Sequence, residues 1–264
     1  MRRSGSRRLS RRALTLLSTA LLALLTVSSA LAQQPTRITQ EADKMHDLYL
    51  FVTFLGLVVF VLVTGALLYA IVRFRKKDDT LPRQTHGSTL LEMLWVSIPV
   101  LLVVVMFAYS VVVLVDVEDS AEPEDLTVHV TGFQFQWQFT YNLDDLGTRS
   151  VPGSDETIQI LGTGTDEPRL VIPVGEPVEF RLASNDVIHS FYIPSFLYKL
   201  DVIPGRDNAF KVTANKTGVY QGQCAELCGV DHALMRFSIE VMSRDDFDAW
   251  VTEQSGAKLT AKQP

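Results

Sequence analysis

Both cysteines of the 264-residue chain lie in one short run, together with a histidine and a methionine: Cys224, Cys228, His232 and Met235. In an oxidising compartment, two cysteines commonly form a disulfide, which is the simplest interpretation of the pair. Thiolate, imidazole and thioether together are instead a ligand set that suits copper. Zinc is the rival metal, because two cysteines and two histidines also suit a tetrahedral site. Zinc, however, leaves Met235 without a role.

A copper site built from this run needs a second histidine from elsewhere in the chain. A site for one copper ion uses one cysteine, two histidines and a weak axial methionine, so the run offers one thiolate more than that. Two thiolates on one loop can bridge two copper ions, each then bound by one histidine. His189, on an alternating segment upstream of the run, is the best candidate. His46, His86 and His129 have no comparable neighbours and are assigned no role.

The segments around these residues predict an all-β domain over residues 116–254. Alternation of apolar and polar residues, with many β-branched and aromatic side chains, is typical of strands. The predicted strands are 126–131, 133–139, 169–172, 177–182, 187–193, 209–213, 218–223 and 235–242. Many short strands separated by turn residues favour a β-sandwich or barrel. A capping sequence at 243–246 predicts a last helix over 247–254, and a polar tail follows at 255–264.

Three apolar runs without charged residues precede this domain, at 13–32, 48–72 and 93–115. The first follows six arginines and ends in small residues, which predicts a signal peptide over 1–32 that is cleaved before Gln33. A third permanent span is the alternative. The other two runs are long enough to cross a bilayer, which needs about 20 apolar residues. They predict a transmembrane hairpin with a loop at 73–92 and an N-terminal segment at 33–47.

Charge orients this hairpin and excludes one class of function. The loop at 73–92 is rich in Arg and Lys, which marks the cytoplasmic side, so both the N-terminal segment and the β domain are expected outside. The net charge of −6 conceals an uneven distribution. From Asp116 onward the chain carries 24 acidic and 11 basic residues. An acidic external domain argues against binding to nucleic acid and steers a cationic partner towards it.

Taken together, these features resemble subunit II of the haem–copper cytochrome c oxidases over nearly the whole mature chain. The motif C-x-E-x-C-x3-H-x2-M with an upstream histidine is highly specific. The resemblance implies a cupredoxin-like sandwich that holds a binuclear copper centre, CuA. The implied ligands are Cys224 and Cys228 as bridges, His189 and His232 on one copper each, Met235, and the backbone carbonyl of Glu226. The Glu226 carboxylate is implied to bind a magnesium ion shared with subunit I.

The resemblance also implies the function. The chain would accept electrons from reduced cytochrome c and pass them to haem in subunit I, where oxygen is reduced to water and protons are translocated. It would contain no haem itself and would assemble with subunits I and III in a bacterial plasma membrane. A membrane-anchored copper-binding or copper-delivery protein is the alternative, although it would not need Met235 or Glu226. A quinol oxidase subunit would lack the copper ligands, and a nitrous-oxide reductase domain would lack the hairpin.

Further residues receive roles from the same resemblance. The position that usually holds the tryptophan at which the electron enters corresponds to Phe135, with Trp137 at the second aromatic position. Either ring could mark the place where cytochrome c delivers its electron, or both could simply fill the core. Glu92, just before the third apolar run, corresponds to a glutamate at the mouth of a proton channel.

Four acidic residues are candidates for docking cytochrome c. Glu167 and Asp186 match acidic positions used for this purpose in the family. Asp144 and Asp145, which follow the aromatic segment, could join them. A solvated acidic surface without a partner is the alternative for each of these residues, because exposed charges are common.

Overall fold

The structure is a computed structural model that describes residues 35–76, 84, 86–118, 125–151, 154–162, 166–256 and 260–261. The predicted signal peptide at 1–32 lies outside the described residues, as do residues 77–83 and 85 of the basic loop after the first helix. From Arg37 onward the chain forms one compact unit, which holds every element described below.

Two long apolar helices come first, α1 (Gln40–Arg73) and α2 (Thr89–Val117). Both are long and apolar enough to cross a membrane, with a mean hydropathy of 2.7 and 2.9 in their most apolar stretches. Each extends beyond its predicted apolar run, and α1 begins within the segment assigned to the external N-terminal arm. The two helices contact each other through an ion pair between Lys44 and Asp116, 2.7 Å apart, and an edge-to-face pair of Phe51 and Tyr109.

The rest of the chain is a sandwich of two β-sheets. Its strands are β1 (Leu126–Phe133), β2 (Gln136–Leu146), β3 (Arg149–Ser150), β4 (Thr157–Leu161), β5 (Arg169–Pro173), β6 (Pro177–Ser184), β7 (His189–Ile193), β8 (Tyr198–Val202), β9 (Asn208–Thr213), β10 (Gly218–Cys224), β11 (Arg236–Met242) and β12 (Thr260–Ala261). One sheet has the order β12-β3-β2-β1-β6-β9, with β4 also paired to β2, and the other has the order β5-β11-β10-β7-β8. The fold class predicted from the sequence, a two-helix hairpin followed by an all-β, cupredoxin-like sandwich, is confirmed.

The core between the sheets is aromatic, and a buried tyrosine links the two sheets by hydrogen bonds. Trp137, Phe139, Phe191 and Phe237 pack together within it, and all four are buried. The hydroxyl of Tyr141, on β2, accepts a hydrogen bond from the backbone nitrogen of Val171 at 2.8 Å and donates one to its carbonyl at 2.9 Å. Because Val171 belongs to β5, this tyrosine joins one sheet to the other.

The predicted strand at 133–139 is wrong, because a tight hairpin turn interrupts it. β1 ends at Phe133 and β2 begins at Gln136, and these two residues pair across the turn formed by Gln134 and Phe135. The peptide bond between the two turn residues is cis. The turn therefore places Phe135 at one end of the sandwich rather than inside a sheet.

The C-terminal region also differs in detail from the prediction. The last helix, α3 (Arg244–Ser255), starts earlier than expected, because Ser243 is its N-cap and accepts a hydrogen bond from the backbone nitrogen of Asp246. Within the predicted polar tail, residues 260–261 pair with β3. Strands β3, β4, β8 and β12 were not predicted.

Candidate metal centre

Strands β7 and β10 bring the distant histidine to the first cysteine. The two strands pair antiparallel, with Cys224 opposite Phe191. Just beyond the last pair, the backbone nitrogen of Ala225 donates to the carbonyl of Ser190 at 3.0 Å. Since Ser190 follows His189 directly, this pairing places the imidazole of His189 beside the sulfur of Cys224. A histidine 35 residues away in sequence thus becomes a neighbour.

The connection from β10 to β11 carries the other candidate ligands and is closed by hydrogen bonds at its base. The backbone nitrogen of Cys224 donates to the carbonyl of Met235 at 3.0 Å. A short 3-10 helix over His232–Leu234 ends the loop, and the backbone nitrogen of Met235 donates to the carbonyl of His232 at 3.2 Å. The loop that begins at Cys224 and ends at Met235, here called the ligand loop, is therefore held at both ends.

The two cysteines are free, and their sulfur atoms lie 4.0 Å apart. A disulfide requires about 2.05 Å, so the structure does not support the disulfide interpretation. Bonds from thiolate to a metal such as zinc are about 2.3 Å long, so one ion can contact both sulfurs at this separation. Each sulfur also has a histidine next to it, with Nδ1 of His189 at 3.9 Å from Cys224 and Nδ1 of His232 at 3.6 Å from Cys228.

Two weaker donors complete the cluster, one beside each cysteine. The thioether sulfur of Met235 lies 3.8 Å from the sulfur of Cys228. The backbone carbonyl oxygen of Glu226 lies 3.2 Å from the sulfur of Cys224. The groups to which the resemblance assigned ligand roles therefore lie near one another, including the carbonyl. This set of two thiols, two imidazoles, a thioether and a carbonyl fits copper by its soft donors, and zinc would leave the thioether unused.

Most of the cluster is shielded from solvent, and His232 is half-buried. His189 is fully buried, both cysteines are 5% exposed and Met235 is 1% exposed. Burial raises the pKa of the Cys224 thiol, but the hydrogen bonds with His189, with the backbone of Ser190 and Glu226 and with His232 together outweigh it and lower the pKa to about 6. Burial and the adjacent negative charge of Cys224 raise the pKa of Cys228. A metal that binds both sulfurs must therefore displace a proton from Cys228, as is usual for thiolate sites.

Asp186 holds His189 in place, a role that the sequence analysis did not assign to it. One carboxylate oxygen lies 2.9 Å from Nε2 of His189 and accepts from the backbone nitrogen of Val187 at 2.6 Å. The other oxygen accepts from the backbone nitrogen of Gln134 at 2.6 Å. Burial raises the pKa of Asp186, but these hydrogen bonds outweigh it and lower the pKa. A partner on Nε2 leaves Nδ1 free to face the cysteines.

The turn between β1 and β2 covers the ligand loop. The side-chain amide of Gln134 donates to the carbonyl of Cys228 at 2.5 Å. The ring of Phe135 lies directly over Gly229, whose φ of +147° is one that other residues rarely adopt. Phe135 is partly buried, whereas Trp137 is fully buried behind the site and contacts His189 edge-on with ring centroids 6.0 Å apart. Of the two candidate rings, Phe135 is the one near the surface.

The other acidic candidates lie at different distances from the cluster. Glu167 is exposed beside Pro168, which packs near Gly162 and Gln136 at the start of β2. Asp144 and Asp145 lie near the other end of the 11-residue strand β2, away from the ligand loop. The structure therefore brings Glu167 and Asp186 towards the cluster, and it does not bring the pair at 144–145.

Glu92 belongs to a different part of the molecule. It is exposed in the first turn of α2, where its backbone nitrogen donates to the carbonyl of Ser88 at 3.0 Å. Its carboxylate curls back towards Gly87 at the start of the helix. Negative charge at a helix N-terminus is favourable, so this position also has a purely structural explanation.

Comparison with known proteins gives a consistent result along the chain. Residues 126–242 match the family model for the periplasmic domain of cytochrome c oxidase subunit II, and residues 24–113 match the model for its transmembrane domain. The probable cytochrome c oxidase subunit 2 of Rickettsia felis is 34% identical over 228 residues, which cover 84% of this chain and 71% of the relative. Cytochrome c oxidase subunit 2 of Mycobacterium tuberculosis is 32% identical over 277 residues, with 86% and 76% covered.

Among solved structures, the periplasmic domain of subunit II of cytochrome oxidase (CoxB) of Bradyrhizobium japonicum is similar to the sandwich. It is 33% identical to this chain, with a TM-score of 0.43, and the match covers 53% of this chain and 97% of that domain.

Proposed function

Since the chain belongs to the cytochrome c oxidase subunit II family and so is a subunit of a haem–copper oxidase, we propose that it is the subunit through which electrons enter. It accepts them from reduced cytochrome c at a binuclear copper centre, CuA, and passes them to haem in subunit I. Oxygen reduction and proton translocation take place in that partner. The observation that carries this proposal is the pair of unbonded cysteine sulfurs 4.0 Å apart, each with its own histidine.

Four strong ligands and two weak ones would hold the copper pair. Cys224 and Cys228 would bridge the two ions, and His189 and His232 would each bind one of them. Met235 and the carbonyl of Glu226 would be the weak outer ligands. When bound, the copper pair supplies a carrier for one electron and performs no bond chemistry.

The work of this chain is to hold those ligands still. A carrier transfers electrons fast when its ligands move little between oxidation states. The pairing of β7 with β10, the hydrogen bond from Cys224 to the carbonyl of Met235 and the carboxylate of Asp186 all restrict ligand motion. Burial excludes water from the cysteines, which removes a second source of rearrangement.

Cytochrome c would dock over the turn that carries Phe135. This ring lies over the ligand loop near the surface, and Trp137 lies behind it in the core. Glu167 and Asp186 supply negative charge on the same end of the sandwich, and the acidic domain as a whole would steer a cationic donor. Asp144 and Asp145 would contribute only to this long-range attraction, because they lie at the other end of β2.

Two exposed carboxylates, those of Glu226 and Glu92, are the groups through which this chain would act together with subunit I. Glu226 turns its carbonyl towards Cys224 while its side chain is exposed, so its carboxylate would be free to bind magnesium shared with subunit I. Glu92 would lie at the mouth of a proton pathway into subunit I on the cytoplasmic side. Subunit III would complete the complex. In this arrangement the protein spans a bacterial plasma membrane twice, with its N-terminus and the sandwich outside.

The purified oxidase complex provides the test. We expect an electron paramagnetic resonance signal in which one unpaired electron is shared equally by two copper ions. Cys224→Ser should abolish this signal and the oxidation of cytochrome c, while Ser190→Ala, a change at the neighbouring strand that removes no ligand, should preserve both. A signal from a single copper, a centre loaded with zinc, or wild-type turnover in Cys224→Ser would contradict the proposal.

Copper delivery is the less well supported function. A delivery protein must release its ion to a partner, which favours exposed and exchangeable ligands. Here Met235 is 1% exposed and both cysteines are 5% exposed. The carbonyl of Glu226 also faces Cys224, which closes the site further. These features favour a resident centre over a transferable ion.

A further inference from the structure

Residues 37–43, here called the clasp, attach the first membrane helix directly to the β-sandwich. The backbone nitrogen of Ile38 donates to the carbonyl of Ser195 at 3.1 Å, and its carbonyl accepts from the backbone nitrogen of Asn215 at 2.7 Å. Thr39 forms an antiparallel bridge with Ala214. Ile38 is fully buried and belongs to the same hydrophobic core as the strands. The clasp is therefore an integral part of the sandwich and not a loose arm.

Side chains of the clasp add further contacts to the same surface. The carboxylate of Glu41 accepts from the backbone nitrogen of Thr213 at 3.1 Å. The ammonium group of Lys216 donates to the carbonyl of Arg37 at 2.9 Å. Ala42, in the first turn of α1, is fully buried. Backbone, side-chain and apolar contacts thus all join this short segment to the region between β9 and β10.

No linker separates the clasp from the helix. Thr39 is the N-cap of α1, and its hydroxyl accepts from the backbone nitrogen of Ala42 at 3.0 Å. The apolar run begins at residue 48, so residues 40–47 form a helical extension about 12 Å long at 1.5 Å per residue. A helix this short is stiff. The tilt of the sandwich relative to α1 is consequently set by how the clasp is seated.

The clasp contacts the segments that adjoin the two strands carrying metal ligands, at the ends of those strands away from the cluster. Ser195 follows β7, which starts at His189, and Asn215 precedes β10, which ends at Cys224. At about 3.3 Å per residue, these strands are about 13 Å and 20 Å long from the ligand to the other end. A tilt of about 10° at the clasp would move the ligand loop by about 3 Å over such a distance.

We propose that Ile38 is a positioning residue that seats the sandwich on α1 and so sets the distance and orientation of the copper centre relative to the haem in subunit I. This inference rests on the proposed electron-transfer function. The rate of electron transfer falls steeply as the distance between the two carriers grows. Loosening the clasp should therefore slow the transfer from copper to haem, and leave the transfer from cytochrome c to copper unchanged.

The test compares three variants of the complete oxidase complex with the wild type. Ile38→Ala removes the buried side chain from the clasp, and Ile38→Val restores most of it. Ile158→Ala is the matched control, because it makes the same change in the same core on β4, a strand that pairs with β2. Stopped-flow mixing with reduced cytochrome c follows the reduction of copper and of haem separately. Amide hydrogen exchange reports on the clasp without reference to copper.

We expect Ile38→Ala to lower the rate of haem reduction clearly below the rates of the wild type and of Ile158→Ala, with an unchanged copper spectrum and an unchanged rate of copper reduction. Exchange should increase at the amides of Thr213 and Asn215 and not throughout the sandwich. Ile38→Val should behave nearly as wild type, and Ile158→Ala should not slow haem reduction. Equal effects of Ile38→Ala and Ile158→Ala, loss of protection across all strands, or unchanged haem reduction would each overturn the inference.

The experiments distinguish a wrong inference about the clasp from a wrong proposed function. If the wild-type complex lacks the two-copper signal, the proposed function fails, and the exchange data still decide whether Ile38 anchors the sandwich. If the signal is present and the Ile38 variants transfer electrons to haem at the wild-type rate, only the clasp inference fails.

Discussion

Replacing Asp186 separates two roles that its position allows, docking of cytochrome c and support of His189. Its carboxylate makes three short contacts, with Nε2 of His189 at 2.9 Å and with the backbone nitrogens of Val187 and Gln134 at 2.6 Å each. Asp186→Ala removes all three. Asp186→Asn can keep two of them, but its amide NH2 cannot accept from the remaining backbone N–H, which then lacks a partner.

The size of the effect follows from these contacts. Loss of a residue that orients a metal-bound histidine typically lowers metal affinity 10- to 100-fold, which is about 1.4–2.7 kcal/mol. We expect Asp186→Asn to lie near the lower value, since the bonds to His189 and Val187 can survive. Asp186→Ala should lie near the upper value, because it frees the imidazole and removes the carboxylate that also joins the turn at Gln134 to Val187.

Competition for copper with a chelator, followed by the visible absorption of the centre, measures this loss in the purified complex. Steady-state oxidation of cytochrome c over a range of salt concentrations measures docking. Glu167→Gln is the matched control, because Glu167 is an exposed carboxylate beside Pro168, and none of the hydrogen bonds described above joins it to a ligand residue. It should raise KM at low salt and leave copper affinity unchanged.

If Asp186→Ala kept the copper affinity of the wild type, Asp186 would have no role in supporting His189 as a ligand. A change confined to KM and its salt dependence, as in Glu167→Gln, would assign Asp186 to docking alone. A combined change would mean that one carboxylate serves both the ligand and the partner.

Three further changes test other parts of the structure. Tyr141→Phe should destabilise the sandwich by about 1–3 kcal/mol, because the backbone groups of Val171 lose a buried partner; a lower midpoint of thermal unfolding in the complex would show it. Gly229→Ala should cost about 1–3 kcal/mol through its positive φ and should push Phe135 aside, which we expect to slow copper reduction by cytochrome c. Phe135→Leu should slow the same step while leaving the copper spectrum intact, and an unchanged rate would exclude the ring as the path of the electron.

The candidate ligands could be predicted because their chemistry is local. Cys224, Cys228, His232 and Met235 lie within one loop, and their spacing alone indicates a soft metal site. His189 is distant in sequence, and its assignment depended on the resemblance to a family as much as on its alternating strand. The role of Asp186 was not predicted, although it lies three residues before a candidate ligand, a separation at which a carboxylate can reach a histidine across a turn.

The hairpin turn at Gln134 and Phe135 shows why local alternation can mislead. In β1 the buried residues have even numbers, among them Leu126 and Val130, whereas in β2 they have odd numbers from Trp137 to Leu143. A regular stretch of strand cannot change parity, because successive side chains point to opposite faces. A two-residue turn can, and here it occurs without the glycine or asparagine that usually marks a hairpin. Phe133, Phe135, Trp137 and Phe139 therefore look like one aromatic face in the sequence.

The same change of parity determines what each ring can do. Had the strand continued, Phe135 and Trp137 would share a face and be equally buried. Because the chain reverses between them, Trp137 points into the core against His189 and Phe135 lies outside over the ligand loop. If the proposed function holds, an electron delivered at the surface would meet Phe135 first, and a substitution of Trp137 would disturb the packing beside His189. The two aromatic positions thus call for different experiments, and only those on Phe135 report on the donor.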